Sequence, residues 1–89
     1  MSLHDLKTEK QFFDDIISGT KTFEIRYNDR DYLVGDYLLL RDFNSGEYTG
    51  RIILCKVLYV LSDPGNRFLQ PGYVCMSIKM EAWNKRGTI

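Results

Sequence analysis

Apolar and polar positions along the chain divide it into one helical and several strand-like stretches. Residues 3–6 alternate, with Leu3 and Leu6 flanking His4 and Asp5, and predict a short first strand. Thr8 followed three residues later by Gln11 is a capping-box pattern. Phe12, Phe13, Ile16 and Ile17 then recur at helical spacing as one apolar stripe, and Gly19 supplies a stop. The expected helix covers roughly residues 9–18. Residues 22–28 alternate strictly. Phe23, Ile25 and Tyr27 share one face, and Thr22, Glu24, Arg26 and Asn28 share the other. With a core on the apolar side, the second set falls on the outward face and the register is well fixed.

Polar turns at Asn28 to Asp31 and at Val34-Gly35-Asp36 separate this strand from a second at residues 37–43. Asn44-Ser45-Gly46 is a hairpin signal, followed by a long β-prone stretch over residues 47–61 in which Gly50 marks a bulge. Pro64, Gly65, Pro71 and Gly72 make residues 62–72 a loop, and residues 73–80 read as the last strand. Residues 82–89 form a tail. One short helix cannot cover both faces of such a sheet. Closing the sheet into a small barrel, with the helix plugging one side or end, buries the apolar faces. The expected class is α+β, mostly β: about five to six strands with one main helix. One domain spans residues 1–81, followed by a tail at residues 82–89.

The 89 residues allow a single core. No apolar run approaches the roughly 20 residues that span a bilayer, and the first ten lack a secretory pattern, so the expected location is the cytoplasm. Cys55 and Cys75 lie in strand-like apolar stretches and read as free thiols. Twelve basic and twelve acidic side chains cancel, which argues against a generic duplex-DNA binder but leaves room for a small cationic pocket.

Candidate chemistry concentrates between Gly19 and Arg30. Lys21 stands where the chain passes from helix to strand, and Glu24 and Arg26 project from the same strand face. Lys21 and Arg26 suit a phosphate, while Glu24 suits orienting Arg26 or accepting from a base amino group. A solvated strand face accounts for the same charges, with Glu24 and Arg26 as an ordinary surface pair.

The spacing Gly19-x-Lys21-x-x-Glu24-x-Arg26 resembles the signature of the ASCH domains of the PUA-like superfamily. His4-x-Leu6-Lys7, residues 28–31, Val34-Gly35-Asp36, residues 46–50 and residues 72–78 resemble a small bacterial and phage branch of that superfamily. Tyr27 departs from the lysine expected there. The resemblance implies a PUA-like β-barrel with a helix beside a cleft, and a role in binding RNA, a nucleotide or a modified nucleoside. The expected ligand-binding set is Lys7, Lys21, Thr22, Glu24, Arg26, Asn28, Arg30 and Tyr73, with Tyr73 as a stacking platform.

Two alternatives stay open. Some compact ASCH relatives resemble amidohydrolases that deacetylate acetylcytidine. Here Lys21 matches their lysine, Glu24 stands in place of their threonine nucleophile, and Lys21 with Glu24 would form the acid–base pair. The other alternative is a protein-interaction or regulatory module. His4 reads as structural, and Asp29 as a support for Arg26 or Arg30. Carboxylates at Glu24, Asp29 and Asp31 face competing arginines, so neither metal nor cofactor is expected. Trp83, Lys85 and Arg86 read as a fraying end.

Overall fold

A computed structural model describes residues 1–86. Five strands and one helix follow in the order β1 (Leu3–Glu9), α1 (Lys10–Ile17), β2 (Phe23–Tyr27), β3 (Tyr37–Asn44), β4 (Glu47–Ser62) and β5 (Tyr73–Asn84). They form one sheet in the order β1-β3-β4-β5-β2. β1 runs parallel to β3, and the other pairs are antiparallel. The sheet curls into a half-barrel, and α1 packs across its concave side against β1, β3 and β5.

Alternation decides which face is inside. In β1, His4, Leu6 and Thr8 are buried and their neighbours exposed. In β3, Leu38, Leu40 and Asp42 point inward, and in β5, Val74, Met76 and Ile78 do the same. Phe13 and Ile16 of α1 complete the core with Leu6, Tyr32, Ile53, Cys55 and Val57. Cys55 is fully buried, and burial pushes its thiol up to about 12. Cys75 lies on the other face of the sheet, so both thiols are free.

The β3–β4 hairpin closes as the Asn-Ser-Gly signal indicates. Asn44 pairs with Glu47, and the intervening Ser45 and Gly46 both have positive φ (53° and 81°), the conformation of the tight turn that matches strand twist. Gly72 is required for a different reason. Its φ is +82°, and a Cβ there would stand 2.6 Å from Cε1 of Tyr27. Gly72→Ala should therefore cost about 1–2 kcal/mol from the left-handed backbone alone. A urea midpoint equal to that of the unmodified protein would count against this.

Several expectations are corrected. The capping box does not form: Thr8 belongs to β1, the residue capping the helix is Glu9, and no side chain caps it. Pairing with β3 carries β1 beyond Leu6 to Glu9, which removes Thr8 from the helix start. β5 continues past residue 80 to Asn84, because Ile52, Ile53 and Leu54 of the long β4 offer it partners. The expected tail at residue 82 thus begins as strand, and residues 87–89 lie outside the described residues. The largest correction concerns β2. Glu24 is buried, whereas Phe23, Ile25 and Tyr27 are exposed. Glu24 pairs with Met76 and Arg26 with Val74, both inward-facing residues of β5, so the charged face of β2 is the inner one.

No helix among the described residues is long and apolar enough to cross a membrane.

Candidate functional site

Turning the charged face of β2 inward builds a polar cluster at the open side of the half-barrel. Glu24 is 4% exposed and receives two cations. Lys21 donates from Nζ to Glu24 Oε1 and to the carbonyl of Phe23 at 2.6 Å. Arg26 donates from Nε to Glu24 Oε2 at 2.9 Å. The side chains of Lys21 and Arg26 retain only 13% and 24% of their surface. A carboxylate taken from water is tolerated only when its lone pairs are satisfied, and both oxygens are.

Arg26 has a second role. Its Nη2 donates to the carbonyl of Lys7 at 2.8 Å and to Thr8 Oγ1 at 3.3 Å. Arg30 Nη1 donates to the carbonyl of Asp5 at 3.1 Å. β1 and β2 are the two ends of the sheet, and no backbone ladder joins them. Arginine side chains from β2 and the segment after it span the gap to β1 instead. The seam satisfies carbonyls on an otherwise open strand edge.

Beside this seam lies an open cleft of about 810 Å³ between β1, α1 and β2. Lys7, Lys21, Glu24 and Arg26 of the expected set line it. Around them stand residues that sequence reading did not assign to a site, chiefly Glu9, Phe12, Asp15, Thr20 and Phe23. Lys21 Nζ lies 5.4 Å from the centre of the Phe12 ring and 5.0 Å from that of Phe23, so both rings flank the ammonium. Phe12 and Phe23 remain 41% and 44% exposed. A signal for Phe12 was present in the helix. Adjacent helical residues point about 100° apart, so Phe12 and Phe13 cannot both face the core centre.

The remaining expected residues stand outside the lining. Thr22 is exposed before β2, and its carbonyl accepts from Ile78. Asn28 Oδ1 accepts from the backbone of Tyr32 at 3.0 Å and shapes the turn. Arg30 belongs to the seam. Tyr73 packs edge-on against Tyr27, with ring centres 5.6 Å apart. Lys7 lines the cleft, but its ammonium sits 4.6 Å over the Phe43 ring. Among the described residues, no group of three or more His, Cys, Asp or Glu side chains is placed to hold a metal.

Two further polar clusters lie apart from the cleft floor. Arg51 donates from Nε to buried Asp42 at 2.9 Å and from Nη2 to Asp14 of α1 at 2.8 Å, and stacks 4.6 Å over Phe13, tying the helix to the β3–β4 hairpin. Hydrogen bonds from Lys10 and Arg51 hold the Asp14 carboxyl below its ordinary range. At the start of β1, His4 hydrogen-bonds Asp36 at 2.9 Å, and the backbone amides of Ser2 and Leu33 donate to the same carboxylate.

Burial alone would raise the Asp36 pKa, but these hydrogen bonds outweigh it and hold the pKa below the usual value. A depressed folded pKa gives stability that is present above the unfolded value near 3.9 and is lost as pH falls through the folded value. Asp36→Asn should therefore flatten the acid limb of the stability curve below about pH 4. Urea midpoints between about pH 5 and 2.5 would read this, and parallel curves for the two proteins would refute it.

A family model described as a domain of unknown function, DUF3850, matches residues 3–78. An uncharacterized 12.9 kDa protein in the GpA 3'region of Escherichia phage P2 is 36% identical over 63 residues. That alignment takes in 68% of this chain and 58% of the phage protein, so the chain spans little more than half of that relative's length. The match over residues 3–78 covers all of β1 through β4 and half of β5, and this chain belongs to the DUF3850 family.

Proposed function

We propose that this protein binds single-stranded RNA or a nucleotide-like ligand in the cleft between β1, α1 and β2. The observation that carries the reading is the convergence of Lys21, Glu24 and Arg26 with two half-exposed aromatic rings in one open cleft. Charged hydrogen-bonding groups beside free aromatic faces suit unpaired bases, which offer both an edge and a π-face. The resemblance of Gly19, Lys21, Glu24 and Arg26 to the ASCH signature supports the same reading. So does a net charge of zero, which disfavours wrapping a duplex.

The amidohydrolase alternative gains no support from the geometry. Lys21 Nζ is engaged as a donor to Glu24 and Phe23. Thr20 Oγ1 is tied to the helix end, 3.1 Å from the carbonyl of Asp15 and 2.9 Å from Ser18 Oγ. Thr22 lies outside the cleft.

The test is a titration of the isotope-labelled protein with a short single-stranded RNA of mixed sequence, read by amide chemical shifts. Saturable shifts should concentrate at residues 7–9, 12–15 and 20–26. A hairpin of the same composition should compete weakly. No saturable shifts, or shifts centred on the β3–β4 hairpin, would refute the proposal.

A further inference from the structure

We infer that the part of the ligand recognised by this cleft is one unstacked nucleobase, seated against Phe12 and Phe23, and that no phosphate is clamped. This rests on the cleft reading above and narrows it.

Charge bookkeeping within the cleft argues against a phosphate. Three cations line it, Lys7, Lys21 and Arg26, and three carboxylates oppose them, Glu9, Asp15 and Glu24. Most of their donor groups are already engaged. Lys21 donates to Glu24 and the Phe23 carbonyl, and Arg26 to Glu24, the Lys7 carbonyl and Thr8. The Lys7 ammonium lies over Phe43. A phosphate drawing Lys21 or Arg26 to itself would leave the buried Glu24 short of a partner, a costly exchange for a carboxylate held away from water. Glu9 and Asp15 would repel it as well.

What the cleft does leave uncommitted is apolar and planar. Phe12 and Phe23 both lie beside the Lys21 ammonium, and each keeps more than two-fifths of its surface exposed. An aromatic heterocycle covers such surface irrespective of its charge. Its polar edge meets hydrogen-bonding groups in the same cleft. The carboxylates of Glu9 and Asp15 accept from exocyclic amino groups, and Arg26 Nη1, without a partner among the described residues, donates to a ring carbonyl. The sugar and phosphate are left toward solvent. A base paired in a duplex cannot present its face in this way, so the ligand is an unpaired base or a free nucleoside.

The experiment compares uridine, cytidine, adenosine and guanosine with their 5′-monophosphates by calorimetric or chemical-shift titration, at about 50 and 300 mM salt. A short mixed-sequence RNA is titrated in parallel. For at least one base, nucleoside and monophosphate should bind within about threefold of each other, with little change between the two salt concentrations. Phe12→Ala should weaken that binding about tenfold or more while the melting midpoint holds, and Phe12→Tyr should restore it. A monophosphate binding tenfold or more tighter than its nucleoside would overturn the inference and leave the cleft reading standing. So would salt-dependent binding of the RNA with none by any mononucleoside or mononucleotide. Absence of binding by every probe would overturn both.

Discussion

Glu24→Ala should unfold a large fraction of this protein's stability margin. The substitution leaves Lys21 and Arg26, both mostly buried, side by side with no counter-charge. Removing one partner of a buried ionic group typically costs about 3–5 kcal/mol. A domain of this length has roughly 4–13 kcal/mol in all. With about 4–8 °C per kcal/mol for domains of this size, the melting midpoint should fall by at least about 12 °C. Glu24→Gln keeps the shape and one acceptor, and should lose less. The triple replacement Lys21→Met, Glu24→Leu, Arg26→Leu removes the charges together and should recover much of the loss, because no ion is then left buried alone. Thermal unfolding of the three variants checks this order. A Glu24→Ala midpoint within a few degrees of the unmodified protein would mean that the cluster is effectively solvated.

Phe13→Ala should be comparably severe, whereas the neighbouring Phe12→Ala should be nearly silent in stability. Phe13 has no exposed surface and lies in the main core cluster, with the Arg51 guanidinium stacked on its ring. Truncating a buried phenylalanine costs about 3–5 kcal/mol, through lost burial and the cavity left behind. Arg51 would also lose the face that positions it between Asp14 and Asp42, loosening α1 from the hairpin. Phe12 covers the cleft rather than the core, and its loss should cost under about 1 kcal/mol. Urea unfolding of the pair gives the comparison. Equal losses would place both rings in the core and remove Phe12 from the cleft.

These two residues also mark what the sequence could and could not disclose. Periodicity located the helix within one residue at each end, and Gly19, with φ of +82°, stands just beyond it where the stop signal was read. The β3–β4 hairpin followed from a three-residue signal, because turn chemistry is local. Mostly-β architecture with one helix followed from counting alternating segments against a single apolar stripe. The failures are all tertiary. Thr8 and Gln11 satisfy a capping pattern, yet the β1–β3 ladder claims Thr8. Phe23, Ile25 and Tyr27 alternate as a core face should, yet β5 pairs Glu24 and Arg26 with its inward-facing residues, and Arg26 also bridges to β1. No local rule reveals that an arginine will find a carbonyl nineteen residues upstream. The motif residues of the site were legible as a group, and four of the eight expected line the cleft. The aromatic walls were missed, since Phe12 was counted with the helix core stripe and Phe23 with the core face of its strand.

The seam between β1 and β2 gives this half-barrel a designated place to breathe. Elsewhere the sheet is a continuous ladder, and parting two strands breaks several backbone hydrogen bonds at once. Here guanidinium hydrogen bonds from Arg26 and Arg30, rather than a backbone ladder, join the ends among the described residues. Amide protons along this free edge should exchange with solvent through a local opening far below the cost of global unfolding. The cleft lies on that line, so an occupant touching both β1 and β2 would act as a staple. Its arrival would be felt as slowed exchange along two strands that share no ladder.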